Sequence, residues 1–456
     1  MTIEVDLNLV EKYNKPGPRY TSYPTAPHFS ENVGLPDWER TIQSNNLTND
    51  RDLSLYFHIP YCDTLCYFCG CTTVITRNKD KIEDYLTYLF KELDLFKSRI
   101  NPDRKVVQQA FGGGTPTYMS PEQIRRLGNK ILETFRFDDN AEVACEMDPR
   151  GLTRDHVQAL YDVGFNRASI GVQDFDPAVQ KAVNRINSRE MITEIVDWTR
   201  DIGYQSLNLD LIYGLPLQTR ASFEKTLQSI LEMKPDRLAV FNYAHVPWMK
   251  PHQKLIREED LPGPEEKLQM LKMIIETLTS SGYVYIGMDH FALENDELTV
   301  AQREKTLQRN FQGYSTKAGA DIYGFGMSSI SQLEDIYAQS TKNVAAYYKH
   351  LDQGELPIEK GYLLTEDDKL RRSVIMRLMC DLALNYAQLS QNLGVDFKQH
   401  FDRELNNLDE FVADELLVLA DDRLTVTNKG RLFIRNIAMT FDAYLGQGEG
   451  RFSKTV

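Results

Sequence analysis

Residues Ser54–Thr73 read SLYFHIPYCDTLCYFCGCTT. A short apolar run, Leu55 to Ile59, enters a loop at Pro60. That loop holds Cys62, Cys66, Cys69 and Cys71, four of the chain's six cysteines. The first three are spaced C-x3-C-x2-C. Three thiolates at this spacing can hold three corners of a cubane cluster and leave the fourth iron open to a ligand, which a catalytic site needs. Cys71 keeps a second reading open. As a fourth ligand it would close the site, giving an electron-transfer cluster or a structural zinc. Four-cysteine zinc motifs usually come as two well-separated C-x2-C pairs, and Tyr67 and Phe68 between the ligands suit an apolar shield. The open site is therefore preferred, with Cys71 a bystander or a second thiol near the reacting centre.

The other two cysteines, Cys145 and Cys380, are isolated and read as small buried thiols. Hydrophobic residues make up 42% of the 456, enough for a sizeable core, and the net charge is −14. Phosphate neutralisation needs Lys and Arg, so this balance argues against a general nucleic-acid or anionic-membrane surface. It leaves room for a small anionic substrate held by a few local cations. The N-terminal stretch lacks the pattern of a secretory signal, and no run approaches a membrane helix, so the expected location is cytoplasmic. There, clustered cysteines serve metals or catalysis more often than disulfides.

A strand–helix alternation starts with the cysteine stretch. Expected strands are Ser54–Ile59, Val106–Phe111, Glu142–Met147, Arg167–Val172, Ser206–Ile212 and Leu238–Tyr243, all short and rich in β-branched or aromatic residues. Between the first two, Ile82, Tyr85, Leu86, Leu89, Leu93 and Phe96 share one helical face. Ser120–Gln123 reads as a cap, a proline at the first helical position and a capping-box partner. Six such units in order predict an α/β fold with a parallel sheet, curved into a full or partial barrel, and chemistry at the carboxyl ends of the strands. The expected domains are an N-terminal arm or lid over 1–50, the barrel over 51–290, a flanking segment over 291–360 and a helical domain over 361–456. The arm contains KYNKPGPRYTSYPTAPHF, Lys12 to Phe29, an irregular stretch that serves either as packing or as a strap carrying Arg19, Tyr20 and Tyr23. Tyr283–Met288 fits one more strand; Arg303–Gly313 and Gly324–Ser331 fit no pattern. The last domain, helices followed by a small hairpin, has a winged-helix outline, but shape alone does not give DNA binding.

Polar residues recur where strands end. Gly112-Gly113-Gly114-Thr115-Pro116 follows the second strand and allows a ligand to approach the backbone, without being a dinucleotide fingerprint or a P-loop. Glu146 ends the third strand and Gln173 the fourth. Asp210 lies in the fifth, where a carboxylate is costly to bury unless paired. One such residue fits a structural role; a ring of them suits a ligand site better. The histidines form no H-x3-H or HExxH pair; His58 and His290 lie in motif-like stretches, His156 and His350 in surface helices.

Together these motifs resemble those of the radical S-adenosylmethionine enzymes. HIPYC…CYFCGC, FGGGTPTYM, EMDPR, GVQDF, NLDLIYGLP, FNYAHVP and GMDHFA, with GPRYTSYP before the barrel, resemble the branch of oxygen-independent coproporphyrinogen III oxidases. The resemblance implies a partial (β/α)6 barrel with a mostly helical, winged-helix-like C-terminal domain. It also implies a [4Fe–4S] cluster on Cys62, Cys66 and Cys69. S-adenosylmethionine would chelate the unique iron and yield a 5′-deoxyadenosyl radical, which removes a β-hydrogen from a propionate of coproporphyrinogen III. Two propionates would leave as CO2, giving protoporphyrinogen IX for haem synthesis. Tyr56, Gly113, Glu146 and Ile330 would line a first S-adenosylmethionine; Phe68, Gly114, Thr115, Gln173, Arg185, Asp210 and Ala244 would line a second. Cys71, Tyr56 and Glu146 are the expected catalytic residues, and Arg19 and Arg309 the expected cations for substrate carboxylates. The expected partners are a one-electron reductant and the substrate, with no nucleic acid or membrane, and the chain a monomer. A related branch of haem-binding chaperones shares the triad but differs where this chain has the CGC ending and the GPRYTSYP arm.

Overall fold

The computed structural model describes residues 5–48, 51–446 and 455. The chain packs as two units, one made of 29–267 with 319–363, the other of 1–28, 268–318 and 364–456.

The first unit is built on the six expected strands, Leu53–Ile59, Lys105–Gly113, Arg136–Met147, Arg167–Gln173, Ser206–Tyr213 and Arg237–Asn242. They pair in sequence order, every pair parallel, which makes the open (β/α)6 partial barrel. Burial is near-continuous along Leu53–Ile59 and Arg167–Gln173, as parallel strands covered on both faces require, while Ser206–Tyr213 alternates between buried and half-buried positions. The crossover helices begin where local chemistry says they should. Ser120, Thr153 and Thr219 each form a complete capping box, and Pro121 takes the first helical turn. Helix Asp80–Lys97 buries the face carrying Ile82, Tyr85, Leu86, Leu89, Leu93 and Phe96. His156 belongs to one of the capping boxes, and His350 lies in helix Val344–Asp352.

Four strands and a helix here were invisible in the sequence. Asp321–Phe325, which runs into the unclassified stretch Gly324–Ser331, is a seventh parallel strand on the open side of the first, with Tyr56 opposite Gly324. Antiparallel strands Ile330–Gln332, Ile336–Ser340 and Ile358–Leu363 extend the sheet from it. Residues Leu35–Thr48, expected to be irregular, form a helix anchored by buried Trp38 and Ile42, one turn apart.

The second unit is mostly helical. Helix Glu366–Asp381 is followed by short helices and a three-stranded sheet in which Arg423–Val426 pairs with both Ala383–Asn385 and Leu417–Leu419. That sheet is the expected hairpin with one added strand. Tyr283–Gly287 is a strand, as its composition suggests, but it turns back on His290–Leu293 in an antiparallel hairpin instead of adding a βα repeat. The core of this unit gathers Tyr20 and Tyr23 of the N-terminal arm with Ile286, Leu307, Tyr314, Val374, Met379, Leu384, Phe401 and Ile437. The arm is fastened by guanidinium groups. Arg435 donates to the carbonyls of Gly17 and Pro18, and Arg309 Nε to that of Arg19, 3.2 Å away. Arg19 itself is paired with Asp289.

Candidate functional site: a cysteine loop over a ring of strand ends

The cysteine loop lies in the first unit, at the carboxyl end of the first strand. Its base is fixed by backbone pairing. Gly114 N–H donates to Ile59 O at 2.8 Å and Thr115 N–H to Tyr61 O at 2.9 Å, so the glycine loop and the cysteine loop are sewn together. Close approach is why glycines stand here. A Cβ on Gly114 would lie 2.5 Å from the Pro60 carbonyl oxygen. One on Gly113, whose φ is +110°, would lie 2.6 Å from the His58 ring. A Cβ on Gly112 would meet Tyr56 Oη at 3.0 Å and Glu146 Oε1 at 3.1 Å, so these two expected site residues flank one glycine.

Each sulfur of the triad has a polar hydrogen beside it. Cys62 Sγ lies 3.2 Å from Thr115 Oγ1. Cys66 Sγ accepts from Arg150 Nη2 at 3.1 Å and Arg185 Nη1 at 3.6 Å. Cys69 Sγ accepts from the Cys71 backbone N–H at 3.4 Å. Hydrogen bonds to sulfur stabilise the anionic, metal-binding form and tune a cluster held there. Burial pushes the Cys62 thiol up to about 12. The Cys69 thiol is held down, to about 6, chiefly by its hydrogen bond with the Cys71 side chain, and Cys71 is pushed up by the same contact. Among the described residues, no group of three or more His, Cys, Asp or Glu side chains stands assembled to hold a metal ion. The donor set nonetheless fits a cluster: three soft sulfurs, each with a hydrogen-bond donor, on a glycine-rich platform.

Of the charges beside Cys66, Arg185 is an expected contact of the second S-adenosylmethionine, while Asp148 and Arg150 lie in EMDPR with no expected role. Asp148 accepts a bidentate interaction from Arg150 (3.0 Å from Nε, 2.6 Å from Nη2) and another hydrogen bond from Arg185 Nη1 at 3.0 Å. Burial pushes the Asp148 carboxyl up, but Arg185 and Arg150 more than offset it and hold it below the usual range. The signal was present in EMDPR: opposite charges two residues apart, directly after a strand. Arg185 Nη2 also donates to Gly171 O at 2.5 Å, which places it against the fourth strand's end beside Gln173.

Around the ring, the expected residues come together unevenly. Tyr56 Oη is 3.3 Å from His58 Nδ1, and His58 Nε2 is 2.9 Å from the Thr72 carbonyl of the cysteine loop. Burial lowers His58 to about 4, so its ring is neutral and donates through one nitrogen only. Glu146 is solvent-exposed at its strand end, yet desolvation of its carboxyl by the packed strands around it raises it to about 7, helped by the carboxylate of Asp210 and opposed by the Gly113 amide. Asp210, opposite Gly171 across the sheet, is raised to about 6 by burial, although Asn208 Nδ2 and Ser169 Oγ donate to it at 2.7 and 3.1 Å. Gln173 takes a left-handed backbone (φ 69°), and its Oε1 is buried without a partner, as is Arg185 Nε. Two carboxylates without a cation of their own and two orphaned polar atoms suit a ligand bearing hydroxyl, amine and cationic groups. Phe68 packs beside Val179, Val183, Leu215, Tyr243 and Ile256. Ala244 is exposed, and its carbonyl is 3.4 Å from Gln253 Nε2. Ile330 pairs with Gln339, and its carbonyl lies where a Cβ on Gly324 would be, 2.9 Å away. Arg19 and Arg309 belong to the second unit, with the partners described above; His290 is there too, edge-on to Tyr314 with centroids 5.4 Å apart.

Comparison with known proteins gives this arrangement a class. Residues 56–230 match the model of the Radical SAM superfamily, and residues 364–433 match that of the HemN C-terminal domain. The strand order, the cysteine loop and the glycine platform are those of a radical S-adenosylmethionine enzyme, a class that uses a [4Fe–4S] cluster and S-adenosylmethionine. The oxygen-independent coproporphyrinogen III oxidase of Helicobacter pylori is 46% identical over 454 residues, covering 99% of each chain. That of Escherichia coli is 46% identical over 445 residues, 98% of this chain and 96% of that one. The solved structure of coproporphyrinogen III oxidase (HemN) from Escherichia coli, a radical SAM enzyme, superposes with a TM-score of 0.93 at 44% identity, covering 97% of this chain and 100% of that one. The chain belongs to the oxygen-independent coproporphyrinogen III oxidases.

Proposed function

We propose that this chain oxidatively decarboxylates two propionates of coproporphyrinogen III to vinyl groups, giving protoporphyrinogen IX without oxygen. The observation that carries the reading is the likeness to coproporphyrinogen III oxidases over 99% of the chain, cysteine loop and C-terminal domain included. When bound, the reduced cluster and S-adenosylmethionine supply a carbon radical able to take hydrogen from an unactivated C–H bond.

The chain's own residues then hold, orient and enclose. Cys62, Cys66 and Cys69 would hold the cluster, supported by the donor beside each sulfur. Tyr56, Gly113, Glu146 and Ile330 would hold one S-adenosylmethionine; Phe68, Gly114, Thr115, Gln173, Arg185, Asp210 and Ala244 would hold a second. Glu146 and Asp210, raised by desolvation, regain their charge when a cationic or hydroxyl-bearing ligand faces them, so ligand and carboxylate stabilise one another. Tyr56, beside Glu146, positions the same ligand. Cys71 is exposed and touches Cys69, so it is read as a non-ligand thiol near the reacting centre. Arg19 and Arg309 are read as cations for substrate carboxylates; Arg309 is buried and its Nη1 has no partner, which favours it. We read the chain as a cytoplasmic monomer that takes electrons singly from a reductant and binds neither nucleic acid nor membrane. No helix among the described residues is long and apolar enough to cross a membrane, and the net charge of −14 disfavours phosphate backbones.

Anaerobic reconstitution with iron and sulfide, then reduction in the presence of S-adenosylmethionine and coproporphyrinogen III, tests the reading. The expected products are methionine, 5′-deoxyadenosine, CO2 and a divinyl porphyrinogen. Stoichiometric haem binding without CO2 release would instead indicate a haem-binding chaperone. Cys66→Ser should abolish cluster assembly and Cys71→Ser should retain it. Loss of the cluster in Cys71→Ser would make Cys71 a ligand and close the site.

A further inference from the structure

The segment after the sixth strand reaches back onto the cysteine loop. Lys250 Nζ donates to the Cys71 carbonyl at 2.9 Å, and Gln253 Nε2 to the Phe68 carbonyl at 3.0 Å. His252 Nε2 is 2.8 Å from the Cys69 carbonyl, and since a carbonyl only accepts, the proton of that ring is on Nε2. The reaching segment is itself closed. Met249 and Lys250 N–H both donate to Val246 O at 2.9 Å, Gln253 N–H donates to Lys250 O at 2.9 Å, and Gln253 Oε1 accepts from Val246 N–H at 2.6 Å. Gln253 is 1% exposed, the fixed centre of the turn.

The loop it grips is bonded on its other side as well. Cys69 N–H donates to Cys66 O at 3.1 Å, and Cys71 N–H to Cys69 Sγ at 3.4 Å. The amides of this stretch therefore face the sulfur and its own turn, while three of its carbonyls are taken by side chains from about 180 residues away in sequence. A second observation concerns charge. Burial lowers the Lys342 ammonium, and Lys360 and Lys250 lower it further, with Glu359 opposing. Lys250 thus lies within electrostatic reach of a second ammonium, Lys342, and is itself the one seated on the cysteine loop, in a chain of net charge −14.

We infer that Lys250, His252 and Gln253 are positioning residues that fix the backbone from Phe68 to Cys71, with Lys250 also setting the electrostatic potential at the cluster. The inference rests on reading Cys62, Cys66 and Cys69 as its ligands. Fixing these carbonyls orients the peptide planes that carry the Cys69 sulfur and the Phe68 ring. A cluster on three thiolates becomes more negative on reduction, so a nearby ammonium stabilises the reduced form and raises the potential. A loop closure with no bearing on the cluster would leave that potential unmoved.

The experiment uses the full-length chain in two states. In the reconstituted protein, a redox titration followed by electron paramagnetic resonance should place the Lys250→Met midpoint at a more negative potential than wild type, with Lys250→Arg restoring it. In the metal-free chain, hydrogen exchange at Gly70, Cys71 and Thr72 should accelerate roughly two- to tenfold in His252→Ala, the loss of one hydrogen bond. A wild-type midpoint in Lys250→Met overturns the electrostatic role of Lys250, and wild-type exchange in His252→Ala overturns the grip on the loop. A wild-type chain that assembles no cluster instead overturns the functional reading, and the exchange arm still reports on the grip.

Discussion

Two sites, one in each unit, treat desolvated charge in opposite ways. In the barrel unit, Glu146 is solvent-exposed at its strand end and Asp210 is half-buried, each with hydroxyl, amide or backbone donors beside it, and desolvation by the surrounding strands raises them to about 7 and about 6. In the helical unit, the guanidiniums of Arg431 and Arg435 are buried, and burial lowers them, Arg435 to about 10. Arg435 is repaid at once by neutral acceptors of the chain, and Arg431 in part, its Nε keeping no partner. Arg431 Nη2 donates to Tyr285 O and Gln302 Oε1 at 2.8 and 2.9 Å, and Arg435 reaches the carbonyls of Gly17, Pro18 and Thr455. The two carboxylates are repaid less fully, and Gln173 Oε1 beside them has no partner at all. Desolvated charge that the chain's own acceptors satisfy holds a fold together; desolvated charge left partly satisfied at a strand end waits for a ligand. Removing one of each should therefore move stability in opposite directions.

The largest effect belongs to the fastener. Arg435→Met leaves the carbonyls of Gly17 and Pro18 without their donor, and should cost roughly 3–5 kcal/mol, seen as a lower urea midpoint. Arg435→Lys should recover little, because one ammonium cannot reproduce a planar fork that serves several carbonyls. An unchanged midpoint in Arg435→Met would remove the contrast between the two sites.

Glu146→Gln should act the other way. The carboxyl is near 4.5 when unfolded and near 7 when folded, so across that interval the folded chain holds the extra proton. Stability is therefore lost as pH rises from about 4.5 to about 7 and stays lost above it. Glu146→Gln lacks this loss and should be more stable than wild type at pH 8, by about 1 kcal/mol once solvent screening at this exposed strand end is counted, with the difference gone near pH 4. Asp210 shares the titration, so the midpoint of this pH dependence belongs to the pair. In the reconstituted enzyme the same substitution should weaken S-adenosylmethionine binding at least about tenfold, the worth of one hydrogen bond to a charged group. A variant that is both less stable and equally tight would show Glu146 to be structural.

What was legible in the sequence follows from how local each feature is. The six strands declared themselves through composition, and the cysteine triad through spacing within ten residues. Asp321–Phe325 did not, because DIYGF is short and carries Gly324, a poor strand former that is needed where Ile330 crosses closely. Helix Leu35–Thr48 was hidden because few apolar anchors serve its fourteen residues. Glu146, Gln173 and Asp210 stood out as polar residues at strand ends. Lys250 and His252 could not, since a polar loop has no period and its partners are remote in sequence. The positions of Arg19 and Arg309 show the same limit. Their charge suggested a role, but only the fold shows Arg19 already engaged with Asp289.

The smallest effect tests whether the arm is held by chemistry or by packing alone. Tyr20 is 1% exposed, takes a left-handed backbone (φ 46°), and donates through its hydroxyl to Asp442 Oδ2 at 2.9 Å. Burial raises Asp442, while the Tyr20 hydroxyl and the Tyr444 amide pull it back. Tyr20→Phe keeps the ring in the core and removes only that donor. The cost should be about 1 kcal/mol. Because the hydroxyl favours the ionised carboxylate, its contribution is present at high pH and lost as pH falls through the Asp442 titration. Urea midpoints of wild type and Tyr20→Phe should therefore separate at pH 8 and converge at acid pH. A separation that is constant with pH would mean that the hydroxyl matters for packing, and that the arm is fastened by its arginines alone.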